Sequence, residues 1–249
     1  MKNHIIHNLT VIMILYASIL PATAQDGNAV LAKIDAVNNA AKDMKALEEM
    51  TLITKDGSRK QRQIAIYQKG TELRMVRFLS PSEVRGVSFL RLAEDRLYLY
   101  LPAFRKVRRI ASSVKNEDFM GTDFSFEDMS QSAYAQDYTA RILTEKAGQY
   151  VLELTPRSGA EVSYGKLVLL ADKANYVFRR IEYYSTTGRL QKILTVDDVR
   201  EINGYWVGRK MEMRNMKDEH RTVLELKEVK FDQGLREDFF SIRNLKRME

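Results

Sequence analysis

None of the 249 residues is cysteine. Disulfides, thiolate nucleophiles and cysteine-bound metals are excluded with it. Histidine is almost as scarce: two of the three fall in the first 24 residues, which leaves His220. A metal centre built on several imidazoles has no material. His220 sits in the polar stretch "KDEHRT", which reads as a solvated turn rather than the setting of a general base. No G-x-S-x-G elbow, Walker loop or G-x-G-x-x-G fingerprint occurs. Asp197-Asp198 and Glu127-Asp128 are adjacent acids, and neighbours on a strand point to opposite faces, so Asp197-Asp198 reads as a strand-end pair and not an acid–base dyad. A hydrolase is poorly supplied. No catalytic residue, metal ligand or cofactor is expected, and no nucleic-acid-binding motif is present.

Long apolar runs are missing too, with one exception near the start. Lys2 precedes "LTVIMILYASIL", and "PATAQ" then places Ala22 and Ala24 as the small residues of an A-x-A site. This is the pattern of a secretory signal peptide over residues 1–24, cut after Ala24. Its removal takes away one lysine and no acid, lowering the formal charge from +7 to +6. The new N-terminus has no thiol to carry a lipid anchor. Residues 25–249 are expected to be one exported domain in the periplasm, with peripheral contact to a membrane at most. The mild excess of cations leaves anionic lipid or an acidic protein surface open as a partner.

What the chain does have is alternation. "DGNAVLAKIDAVNNAAKDMKAL" predicts a first helix capped by Asp26 or Asn28, with Val30, Ile34, Val37, Ala41 and Met44 on one face. After it the period changes to two. About ten strands follow, separated by turn signals such as Asp56-Gly57, Glu94-Asp95 and Asn203-Gly204. Tyr150, Leu152 and Leu154 share one face while Glu153 and Thr155 take the other; Leu224 and Leu226 alternate with Glu225 and Lys227. "LREDFFSIRNL" reads as a last turn or short helix. The expected fold is mainly β: a strongly curved antiparallel sheet or incomplete barrel with helical pieces on its apolar side.

One stretch breaks the pattern. Tyr98, Leu99, Tyr100 and Leu101 are apolar on both faces, so each face needs a cover. Immediately afterwards Arg105, Lys106, Arg108 and Arg109 crowd into five positions. Then Glu117, Asp118, Asp123, Glu127 and Asp128 are scattered among Phe119, Met120, Phe124, Phe126 and Met129, in a long excursion between Ser112 and Ala135.

The train "LYLYLPAFRKVRRIASSVKNEDFMGTDFSFEDM" resembles the signature region of the outer-membrane lipoprotein-sorting protein family, the LolA-like carriers, and "FDQGLREDFFSIRNLKRM" is similar to that family's ending. The resemblance covers nearly all of the chain after the signal. It implies an open antiparallel β-barrel (a half-barrel) with an N-terminal helix and a helical lid over an apolar cavity. It also implies a lipoprotein or lipid as cargo, and for some relatives a place beside RND/MMPL-type inner-membrane transporters, so that a non-catalytic adaptor is the alternative function. On this reading Phe119, Met120, Phe124, Phe126 and Met129 form the lid, with Gly121 as a permissive backbone position. Tyr98, Leu99, Tyr100, Leu101, Leu152 and Leu154 line the hollow. The acids face outward and meet Arg105, Lys106, Arg108 and Arg109 on the rim, or those four dock on head-groups or a partner. Exposed ion pairs contribute about 0–1 kcal/mol each, while burying a Phe or Met side chain gives about 1.5–3 kcal/mol. The aromatics are expected to hold the lid and the charges to release it cheaply.

Overall fold

The computed structural model describes residues 26–146 and 148–247; the expected signal peptide lies outside the described residues. Helix α1, Gly27–Asn38, opens the fold. Asp26 caps it, accepting from the backbone N–H of Asn28 at 3.0 Å. Val30, Leu31 and Ile34 are buried along one side. The first turn lies directly on the sheet, since a Cβ on Gly27 would come within 2.5 Å of the Ala140 carbonyl oxygen.

The sequence predicts that α1 runs on to Leu47. Instead it ends at Asn38, and strand β1, Asp43–Ile53, takes over. Residues 45–49 are good helix formers in isolation. In the fold they pair on both sides, with β2 (Arg59–Lys69) and β13 (Arg221–Phe231), and two ladders override a weak local preference.

Among the described residues thirteen strands form one antiparallel sheet, more than the ten or so expected. After β2 come β3 (Leu73–Ser80), β4 (Ser88–Leu92), β5 (Arg96–Leu101) and β6 (Lys106–Ile110). The second half adds β7 (Tyr138–Lys146), β8 (Gln149–Pro156), β9 (Lys166–Asp172) and β10 (Phe178–Tyr184), then β11 (Leu190–Ile202), β12 (Tyr205–Asn215) and β13. The order runs from β6 down to β1, crosses to β13, and descends again to β7. The β6 and β7 edges do not pair with one another, so the barrel stays open. Asp197-Asp198 is not at a strand end: it lies inside β11, where Asp198 takes a positive φ of 46° and pairs with Arg200 and Arg209. No helix among the described residues is long and apolar enough to cross a membrane.

The sheet has two apolar faces over β2–β5. Ile64, Ile66, Val76, Phe78, Leu97 and Leu99 point to the concave side and join the main core with α1. Ala65, Tyr67, Met75 and Leu90 point outward, where the C-terminal segment covers them with Phe240 and Leu245. That segment carries a 3-10 turn, Glu237–Phe239, and helix α3, Ile242–Leu245. Asp43 anchors its start by accepting three backbone N–H groups, from Gln233, Gly234 and Leu235 at 2.8–2.9 Å.

Residues 111–137 join β6 to β7, the two outermost strands, and therefore cross the whole concave face. Their helix α2, Phe126–Ser130, is closed by a capping box between Ser125 and Asp128.

Candidate functional site: a cavity under the crossing segment

A cavity of about 220 Å³ remains between the concave face and the crossing segment. Its floor comes from β1–β3 and β10–β13, its roof from Phe124, Asp128, Met129 and Tyr134, and one side from the end of α1. Met44, Met211, Met213, Leu194, Leu224 and Leu226 make most of the wall apolar and adaptable. Trp206, the only tryptophan in the chain, also lines the cavity and is 40% exposed, which marks an opening. A larger cleft of about 330 Å³ lies by the β11 start and the β12 end, but it is lined mainly by amide and charged groups such as Asn116, Arg189 and Lys217. The more apolar of the two is the smaller space.

The expected site residues separate into three groups. Phe124 and Met129 line the cavity. Phe119 and Phe126 instead pack with Phe78 and Phe89 in an aromatic cluster, ring centroids 5.5–6.2 Å apart, and fill their end of the hollow with protein. Met120 is partly buried beside that cluster at φ 53°, next to Gly121 at φ 72°, and its carbonyl accepts from Arg62 at 2.7 Å. Leu99, Leu152 and Leu154 are buried in the solid core, with Leu101 partly buried against it. Tyr98 and Tyr100 require a correction: they face outward and pack with the C-terminal segment. The two-faced run does have two covers, but the second is the chain's own tail.

The charges are corrected as well. Arg105 ends a 3-10 turn at φ 50°, and the rest of the basic block lies on the edge strand β6, where the period of two divides it. Lys106 and Arg108 pair in register with Leu101 and Leu99, whereas Arg109 pairs with Tyr98 on the opposite face. All four basic side chains are exposed, and none is in an ion pair with the acids of the crossing segment. Glu117 and Asp118 stay exposed, but Asp123, Glu127 and Asp128 turn inward. Asp128 bonds Lys192 at 3.1 Å and accepts from the Tyr164 hydroxyl at 2.8 Å. Glu127 accepts the backbone N–H of Ser163, and burial holds its carboxyl above the usual range. Asp123 takes the Thr222 hydroxyl at 2.7 Å and lies 2.8 Å from His220 Nδ1. Asp35 of α1 accepts from the N–H groups of Tyr134 and Ala135. The crossing segment is thus strapped at buried points to α1, β11 and β13, and cheap release by exposed charges does not apply.

His220 is therefore not a solvated turn residue but part of a strap. Among the described residues there is no group of three or more His, Asp or Glu placed to hold a metal.

Two functional candidates escaped the sequence reading. Glu48 and Arg74 both line the cavity. Glu48 stands in phase with Ala46 and Met50, and Arg74 with Val76 and Phe78, all of them core residues. A charged residue on the buried phase of a strand was the signal available.

A family model described as "-like: Uncharacterized protein" matches residues 70–247. Among solved structures, one described as an outer membrane lipoprotein-sorting protein domain from Vibrio parahaemolyticus is 29% identical, with TM-score 0.82, over 89% of this chain and 98% of that one. A DUF1329 family protein from Desulfovibrio piger is 27% identical, with TM-score 0.82, over 88% and 97%. A LolA superfamily protein from Nitrosomonas europaea shares the fold at 21% identity and TM-score 0.76, over 89% and 100%. No curated protein matches the chain.

Proposed function

Since the chain belongs to the outer-membrane lipoprotein-sorting, LolA-like family, we propose that it carries an acyl chain of a lipoprotein or lipid through the periplasm toward the outer membrane. The observation that carries this reading is the cavity itself. A methionine- and leucine-rich wall, left open on a sheet whose other apolar surface is packed against its own tail, suits a hydrocarbon guest. Export through residues 1–24 would place the carrier in the envelope. The exposed basic edge β6 suits docking on an anionic surface, where charge raises the rate of encounter more than the final affinity.

The test is uptake. Purified protein is expected to bind a fluorescent fatty-acyl probe and to carry acyl species in native mass spectrometry. Val207→Phe, which narrows the cavity, should reduce uptake at least several-fold with the circular dichroism unchanged. Protein that is always empty and takes up no probe would rule the carrier function out.

A further inference from the structure

The cavity wall contains a flaw that an apolar guest does not repair. Glu48 is only 6% exposed, and its Oε2 has no hydrogen-bond partner. Its register neighbours are Ile64 on β2 and Leu226 on β13, both apolar. Arg74, two strands away on the same concave face, has a buried Nε that is equally unpartnered. Buried polar groups of native proteins are nearly always hydrogen-bonded, and an orphaned pair in a binding cavity calls for a missing partner. Burial pushes the Glu48 carboxyl up to about 7, with Arg74 opposing the rise.

The other charged and titratable groups nearby are already engaged. Asp128 is held by Lys192 and Tyr164. Arg91 is bonded to Asp95, Ser132 and the Thr71 carbonyl. Tyr134 and Tyr183 have their hydroxyls 3.5 Å apart, and burial holds both phenols neutral. Among the described residues that line the cavity, Arg74 is the cation that no protein group bonds.

We propose that Arg74 and Glu48 form a headgroup subsite that takes the oxyanion, carboxylate or phosphate, of a single-chain acidic amphiphile. This rests on the carrier reading above and narrows its cargo. The guanidinium supplies the N–H groups that match an oxyanion. Protonated Glu48 donates its O–H to the same anion; ionised, it competes with the guest for Arg74. The small volume favours one hydrocarbon chain rather than two. Affinity for the anion is accordingly highest below pH 7 and falls above it.

Trp206 supplies the assay. The purified full-length protein is titrated with dodecanoate, dodecyl phosphate and dodecanol, following tryptophan fluorescence at pH 6 and pH 8. At pH 6 the tighter of the two acids is expected to bind at least tenfold more strongly than dodecanol, and which acid it is assigns carboxylate or phosphate. Arg74→Met should collapse that ratio towards one, and Arg74→Lys should restore part of it. Glu48→Gln should abolish the loss of acid affinity between pH 6 and pH 8. Should dodecanol bind as well as both acids, or Arg74→Met weaken all three probes equally, the subsite is refuted while the carrier stands. If no probe binds, the subsite and the carrier both fall.

Discussion

His220 Nδ1 lies 2.8 Å from Asp123 Oδ2, joining residues 97 positions apart. The same carboxylate oxygen accepts the Thr222 hydroxyl at 2.7 Å, and the Asp123 N–H donates back to that hydroxyl at 3.0 Å. One acid thereby holds the middle of the crossing segment to the start of β13. Replacing His220 by Ala should cost about 1–3 kcal/mol, the penalty of leaving a buried acceptor short of a partner. Amide hydrogen exchange should quicken around Phe119–Ser125 before it does in β1 or β13.

A stronger strap is Asp128–Lys192, with side chains 3% and 10% exposed. Lys192→Met strands a buried carboxylate and should destabilise the protein by about 3–5 kcal/mol in urea denaturation. Adding Asp128→Asn should recover most of the loss, because the neutral pair no longer buries a charge. If the double variant were as unstable as the single one, the cost would come from packing and not from the stranded charge.

Glu48 makes stability depend on pH in a defined direction. Folded, it keeps its proton up to about pH 7; unfolded, it releases it near 4.5. The native state thus binds more protons between those values, and its stability falls as pH rises from about 4.5 through 7. The span corresponds to at most about 3 kcal/mol. Glu48→Gln should flatten this slope, so the variant gains on the parent at pH 8 and not at pH 4.5. Urea midpoints at both pH values decide it.

Phe124 and Phe126 are two residues apart and equally greasy, yet their aspartate variants should behave differently. Phe126 packs between Phe89 and Phe119, so Phe126→Asp should abolish cooperative unfolding and the near-ultraviolet dichroism. Phe124 borders open space, so Phe124→Asp should fold and fail to take up the acyl probe.

The C-terminal cover should be separable from the cavity. Phe240 is 4% exposed against the outer face of the sheet. Phe240→Ala should cost about 3–5 kcal/mol while leaving the affinity for the acyl probe as it was. A parallel loss of affinity would mean that the two faces are coupled through the strands.

The sequence by itself determined everything set by local pattern. The cap at Asp26, the turns at Asp56-Gly57, Glu94-Asp95 and Asn203-Gly204, and the inward phase of Leu152, Leu154, Leu224 and Leu226 were all legible, because turn chemistry and side-chain period act over a few residues. The family resemblance added the open barrel. Only the tertiary structure decided where phase meets partner. Residues 43–47 became strand because β2 and β13 were there to pair with them. Tyr98 and Tyr100 turned outward to the tail, and Asp128, Glu127 and Asp123 of the crossing segment found Lys192, Ser163 and Thr222 instead of the basic edge. Glu48, just past the end of the expected helix, gave no sign of its role until its neighbours were known. Whether a face is solvent, core or cavity depends on contacts between residues far apart in the chain, and no local period encodes those.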